Sequence, residues 1–205
     1  MIIQLENISK RYGFEWIFKK VNCQFEPGFR YAIVGPNGSG KSTLLKVISG
    51  GLVPTSGKIS YSIPHQRVTD EISAAKEIAY AAPYISLPED FTLEEFFHFH
   101  ASFKKMKVND VTTFLEIAQL SKHKNKYIKN FSSGMKQRLK LSIAFLTESQ
   151  VLLLDEPTSN FDHKSVDWYL NMVTKYANDR LLIIGSNQEY EYDFCEKHVS
   201  ILDYK

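Results

Sequence analysis

The chain has 205 residues, 43% of them hydrophobic and 23% charged, with a net charge of +2 at neutral pH. That length holds one domain with room for an inserted lobe and a substantial core, and the composition excludes a disordered chain. The apolar runs 151–154 and 181–184 are strand-sized, whereas a spanning helix needs roughly 20 apolar residues, so no membrane-crossing segment is expected.

From the N-terminus, apolar and polar residues alternate over 2–8, 14–25, 29–34 and 58–63 with Gly and Pro between them, which predicts four strands. The first meets Glu6 early and lacks the basic start and continuous apolar stretch of a signal peptide, so a cytoplasmic chain is expected. Cys23 and Cys195 are too few for a disulfide framework and have no metal-ligand spacing, which predicts two unpaired thiols. After the third strand come Gly35, Pro36, Asn37, Gly38, Ser39 and Gly40, then Lys41, Ser42 and Thr43 at the start of a helix expected over 41–49. This is a full phosphate-loop pattern in the strand, loop, helix context that the motif requires. Small residues let backbone N–H groups turn inward around phosphate oxygens, and the helix N-terminus adds a favourable dipole. Lys41 is then the cation for the β and γ phosphates of ATP, and Ser42 offers its hydroxyl to Mg²⁺.

From 92 to 145 no strand pattern appears, and Leu93, Phe96, Phe97, Ala101, Leu115 and Ala118 recur at helical spacing. Phe91, Phe96, Phe97, Phe99 and Phe103 are expected mostly to fill this helical lobe, with a minority exposed. Ten Lys and Arg face only two acids between Lys104 and Lys140. Such a run is either a solvated helical face or a surface near anionic lipid headgroups. Beyond it, segments at 151–155, 165–176, 181–186 and 199–202 restore the alternation of buried strands with helices, an α/β core with a largely parallel sheet. The run 151–154 ends in Asp155 and Glu156, where an open α/β sheet places ligand-binding groups. Paired with the phosphate loop, Asp155 is read as the holder of the metal's water shell and Glu156 as the carboxylate that polarises an attacking water.

With these motifs the chain resembles the ATP-binding cassette (ABC) ATPases along essentially its whole length. Phe131-Ser132-Ser133-Gly134-Met135 resembles the family signature Leu-Ser-Gly-Gly-Gln, with Ser132 and Gly134 matching, and either Ser132 or Ser133 is placed to cap the following helix. The resemblance implies that Ser132, Ser133 and Gly134 face the γ-phosphate bound by a second subunit. It also implies that Asp162 belongs to a dimer-contact loop, and that Tyr12 stacks on adenine rather than serving in packing alone. Two departures stand out. The family's Gln after the strand that enters the helical lobe is replaced by Ala82 or Pro83, and its switch His by Asn187, whose amide donates a hydrogen bond but does not titrate near neutrality.

The fold implied is a P-loop NTPase core with a mainly parallel sheet, an N-terminal antiparallel β portion and an inserted α-helical subdomain. Residues 1–80 and 148–205 would form the core and about 84–147 the helical part. The function implied is that of an ATP-hydrolysing motor subunit, slow when isolated, that forms an ATP-sandwich homodimer. It would drive a separate transmembrane permease subunit from the cytoplasmic face of the membrane. Translation-type members carry two cassettes in one chain, too much for 205 residues, so no nucleic-acid partner is expected. The alternatives are a soluble assembly ATPase and a slow-hydrolysing nucleotide-gated clamp.

Overall fold

The structure, a computed structural model, describes residues 1–63 and 71–205; residues 64–70, within the expected core segment 1–80, lie outside the described residues. In chain order the elements are β1 Ile2–Tyr12, β2 Glu15–Phe25, β3 Arg30–Val34, α1 Lys41–Ile48, β4 Ser56–Ser62, α2 Glu71–Lys76 and β5 Ile78–Ala81. They continue as α3 Leu93–Phe103, α4 Val111–Ile117, α5 Ser133–Leu146, β6 Val151–Asp155, α6 His163–Tyr176, β7 Leu181–Ser186 and β8 Lys197–Ser200. Short 3₁₀ turns fill several of the connections.

Strands β2, β1 and β4 form an antiparallel sheet in that order, and β5, β6, β7, β3 and β8 form a parallel one. Strand β1 runs past its expected end at residue 8. Register shifts between Leu5, Ile8 and Lys10 let it keep pairing with β2 while breaking the period-two pattern that would have revealed the extension. Conversely, the last strand closes at Ser200, and residues expected to extend it, Ile201 and Leu202, turn instead into a 3₁₀ segment, Ile201–Tyr204.

The parallel sheet divides two apolar cores because side chains alternate across each strand. Leu153 and Ile183 point to the layer that holds Ile3, Leu5, Phe18 and α1 residues Leu44 and Leu45. Leu152, Leu154, Leu182 and Ile184 point to the opposite layer, with Phe97, Phe114, Phe145 and Tyr169 from the later helices. Each fully buried Leu or Ile in these layers contributes about 1.5–3 kcal/mol.

In the Phe-rich segment Phe96 and Phe97 are buried and Phe91 packs partly buried against the same core, while Phe99 and Phe103 are exposed, as is Ala101, which the helical spacing groups with the core positions. The basic stretch is largely a paired, solvated face, since Lys105, Lys107, Lys124, Lys129 and Lys136 meet Glu148, Asp179, Glu94, Asp90 and Glu89. Behind it, the buried Arg180 guanidinium donates to the carbonyls of Ala144, Phe145, Thr147 and Tyr176, tying the C-terminal ends of α5 and α6 to β7. It satisfies carbonyls that a helix end leaves unpaired. Cys23 and Cys195 are free thiols, and no helix of the described residues is long and apolar enough to cross a membrane.

Candidate functional site

Four helices carry side-chain N-caps: Thr92 accepts from Glu95 N–H, Asp110 from Thr113 N–H, Ser132 from Met135 N–H and Asp162 from Ser165 N–H. Helix α1 differs. Its N-cap is Gly40, in the left-handed region at φ 108° with no side-chain cap, so the first-turn N–H groups are left for an anion. Only glycine fits there, because a Cβ would stand 2.6 Å from Ile17 Cγ2 of β2. Lys41 is 3% exposed, and its ammonium donates to the carbonyls of Gly35 at 2.9 Å and Pro36 at 3.1 Å, inside the curl of the loop. Burial lowers its pKa, against the raising effect of Glu156, Asp155 and Glu191 nearby. The Lys205 ammonium donates to both Ile17 O and Ser39 O, strapping the loop to β2. Tyr12 ends β1, 51% exposed, with the Lys10 ammonium 5.2 Å from its ring centroid, on the same hairpin that leans on the loop through Ile17.

Asp155 is brought to α1 by sheet register. It pairs with Gly185 of β7, and a Cβ on Gly185 would meet Leu45 Cδ1 at 2.6 Å and Asp155 Oδ1 at 3.3 Å, so the missing side chain makes room for both. Asp155 is 1% exposed, and burial raises its carboxyl pKa against the Ser42 and Tyr84 hydroxyls, which lower it. Its Oδ2 accepts a hydrogen bond from the Tyr84 hydroxyl at 2.8 Å, while Oδ1 has no hydrogen-bond partner among the described residues. An orphaned buried carboxylate oxygen beside Ser42 fits Mg²⁺, which takes one or two protein oxygens and completes its shell with phosphates and water. No group of three or more acidic, His or Cys side chains that could hold a metal occurs among the described residues; Ser42 and Asp155 are the residues that would hold such an ion.

Glu156, next in the chain, sits at φ 42°, a conformation that costs a non-glycine residue energy and recurs at functional turns. Its N–H donates to Gly185 O and its carbonyl accepts from Ser159 N–H, so the chain bends sharply off β6. The bend puts Glu156 into a hollow of about 190 Å³ shared with Asn37 of the phosphate loop, Thr158, Ser159, Asn187, Gln188, Tyr190 and Glu191. Asn187 and Glu156 therefore line one cavity.

Glu191 has no place in the motif reading. This 2%-exposed carboxylate accepts from the Thr158 N–H and hydroxyl and from the Ser186 hydroxyl, which in turn accepts from Gln188 N–H. It clamps the turn after Glu156 to the turn bearing Asn187. Burial raises its pKa, outweighing the hydroxyl and N–H donors that lower it. An acid in a surface-like Glu-Tyr-Glu-Tyr run gives no signal of burial; only the fold places it.

Ser132, Ser133 and Gly134 lie elsewhere. They begin α5, with Ser132 rather than Ser133 as the N-cap, and Ser132 and Gly134 line a separate hollow of about 380 Å³ with Asn160 and Asp162. Within one chain, then, the phosphate loop, Asp155, Glu156 and Asn187 form one group, and the signature serines with Asp162 another. As the sequence implies, no Gln stands at the entry to the helical stretch. Ala82 and Pro83 offer no polar side chain, but the next residue, Tyr84, reaches Asp155.

Residues 18–159 match the family described as ABC transporter. Among curated relatives, the chain is 36% identical over 168 residues to a probable sulfate/thiosulfate import ATP-binding protein, CysA, of Chlorella vulgaris, covering 80% of this chain and 70% of that protein. It is 31% identical over 164 residues to Nod factor export ATP-binding protein I of Rhizobium johnstonii, covering 78% of this chain and 52% of that protein, so it spans about half of that relative's length. Among solved structures, the fold is similar to the dimeric bacterial ABC transporter cassette MJ0796, with a TM-score of 0.82 and 22% identity, covering 97% of this chain and 94% of that one.

Proposed function

Given that the chain belongs to the ATP-binding cassette ATPases of the ABC transporter family, we propose that it is the MgATP-driven motor subunit of a transporter, working as a dimer on a separate membrane-embedded subunit. The observation that carries this reading is the convergence of Lys41, Asp155 and Glu156 at the uncapped end of α1. In it, ATP phosphates take the loop N–H groups of 35–43 and Lys41, Ser42 and Asp155 hold Mg²⁺, and Tyr12 stacks on the base. Bound Mg²⁺ would neutralise charge developing on the transferred phosphoryl group. Glu156 receives a proton as water oxygen attacks the γ-phosphorus and the bond to the ADP oxygen breaks.

The separate grouping of Ser132, Ser133, Gly134 and Asp162 supports a sandwich in which each subunit completes its partner's site. Residues 1–80 and 148–205 act as the nucleotide-binding core and about 84–147 as the moving helical part. The relatives' names include both import and export proteins, so the motor is common to either direction.

Asn187 makes turnover slow. Its amide still donates to a phosphate oxygen, worth about 0.5–1.5 kcal/mol net, but carries no titratable charge. Activity of the isolated chain is expected to be low, with no step near about pH 6.5 from a switch histidine. Asn187→His should leave ATP affinity within about two-fold and raise the rate of phosphate release. An unchanged rate on Asn187→Ala would show that another group makes the contact.

The membrane partner docks on the segment around 84–103. Phe99 and Phe103 are exposed there, and Phe91, Thr92, Glu94, His98 and Asn125 line a hollow of about 840 Å³, a surface suited to a short amphipathic helix. The chain is thereby peripheral on the cytoplasmic face of the membrane. Photo-crosslinkers at Phe99 and Phe103 in native membranes are expected to capture a polytopic protein that co-purifies with this chain. Capture of soluble proteins alone would favour an assembly ATPase instead.

A further inference from the structure

Tyr84 follows β5 by three residues and stands at the junction of three parts of the molecule. Its hydroxyl donates to Asp155 Oδ2 at 2.8 Å and shares a hydrogen bond with the Tyr80 hydroxyl, with the two rings edge to face at 6.5 Å. The ammonium of Lys46, on the phosphate-loop helix α1, lies 3.9 Å from the Tyr84 ring centroid. The carbonyl of the preceding residue, Pro83, accepts a hydrogen bond from the Lys140 ammonium on α5, the helix that Ser132 caps.

A carboxylate with one oxygen engaged has little freedom to rotate, and groups that hold a metal ligand from behind set its orientation and basicity. At Asp155 the oxygen engaged is Oδ2; the one left buried without a hydrogen-bond partner among the described residues is Oδ1, on the Gly185 side. A phenol is un-ionised at neutral pH and is therefore a competent donor to a carboxylate. Ala82 and Pro83 have no side chain able to do this.

Resting on the MgATP reading of this site, we propose that Tyr84 is a positioning residue for the metal-site carboxylate: its hydroxyl fixes Asp155 so that Oδ1 is presented to a divalent cation. Through Pro83 and Lys140, the same turn ties that carboxylate to α5. Cation binding is thus felt at the helix that carries the signature residues. Lys46 under the ring sets the position of the phenol relative to α1, so the loop that holds phosphate and the group that orients the cation ligand move together.

Tyr84→Phe keeps the ring over Lys46 and against Tyr80 and removes only the hydroxyl. ATP affinity in EDTA, measured by calorimetry, is expected to stay within about two-fold of the parent, while the Mg²⁺ affinity of the ATP complex falls about 10–100-fold, as does that of Mn²⁺ followed by electron paramagnetic resonance. Hydrogen exchange over α5 is expected to respond to Mg²⁺ in the parent and not in the variant. Cation affinities within two-fold of the parent overturn the positioning role, and an unaltered α5 response overturns the tie to that helix. Because the variant could be poorly folded, 3-fluorotyrosine at position 84 alone gives a second measurement. Its ¹⁹F resonance is expected to shift when Mg²⁺ is added to the ATP complex, and a stationary line overturns the proposal. A parent protein that binds no ATP with or without Mg²⁺ would instead sink the MgATP reading itself, so the two failures are distinguishable.

Discussion

Glu156→Gln is expected to lower ATP turnover by about 10²–10⁴-fold, the range of a positioned general base, while ATP still binds. The substitution keeps the side chain's size and leaves the φ 42° bend unchanged, since an amide adds no branching at Cβ. What is lost is the carboxylate to which the proposed mechanism gives the proton of the attacking water. Asn37, Thr158, Ser159, Asn187, Gln188 and Tyr190 around it offer no comparable base. Glu191 shares the hollow, but its oxygens are already engaged by Thr158 and Ser186. With binding intact and cleavage slowed, the sandwich should persist, so light scattering is expected to find a stable dimer of the variant at saturating MgATP. Monomer under those conditions would count against the sandwich, and phosphate release within a few-fold of the parent would remove Glu156 from the chemistry.

Lys41→Ala is expected to weaken MgATP binding about 10–100-fold, as for loss of hydrogen bonds from a charged donor worth about 1.5–3 kcal/mol. The fold should survive. Among the described residues Lys41 Nζ donates only to Gly35 O and Pro36 O, two carbonyls of an open loop that water can reach once the side chain is gone. The pKa of Lys41 is lowered by burial, with the acidic groups opposing. The sign follows: burial of this ammonium works against the fold at neutral pH, so its removal should not lower the thermal midpoint appreciably. Calorimetric titration with unchanged MgATP affinity would overturn the assignment, whereas a large loss of thermal stability would show that Lys41 serves the loop's own structure.

The phosphate loop, the strand ending in Asp155 and Glu156, and the helix opening at Ser132 were legible in the sequence because each is local. A glycine loop between strand and helix, an apolar run ending in acids, and a serine before a helix are settled within a few residues by backbone sterics, burial and capping. The helical stretch and the parallel core were legible for the same reason, since period 3.6 and fully apolar runs survive without knowledge of partners. Less was visible where a local pattern was interrupted, as in β1, whose bulges disguised its last residues.

Tertiary structure alone decided the contacts made across the sheet. Pairing of Ala81 with Leu154 sets the end of β5 beside the end of β6, and this carries Tyr84 to a carboxylate 71 residues away. Pairing of Asp155 with Gly185 sets Glu156 beside the turn that holds Asn187 and lets Glu191 clamp both turns. A tyrosine one position past the expected Gln and an acid in a polar run look ordinary along the chain. They become specific only when strand register places them against a buried charge or a buried hydroxyl, where a missing partner would cost far more than it does in water.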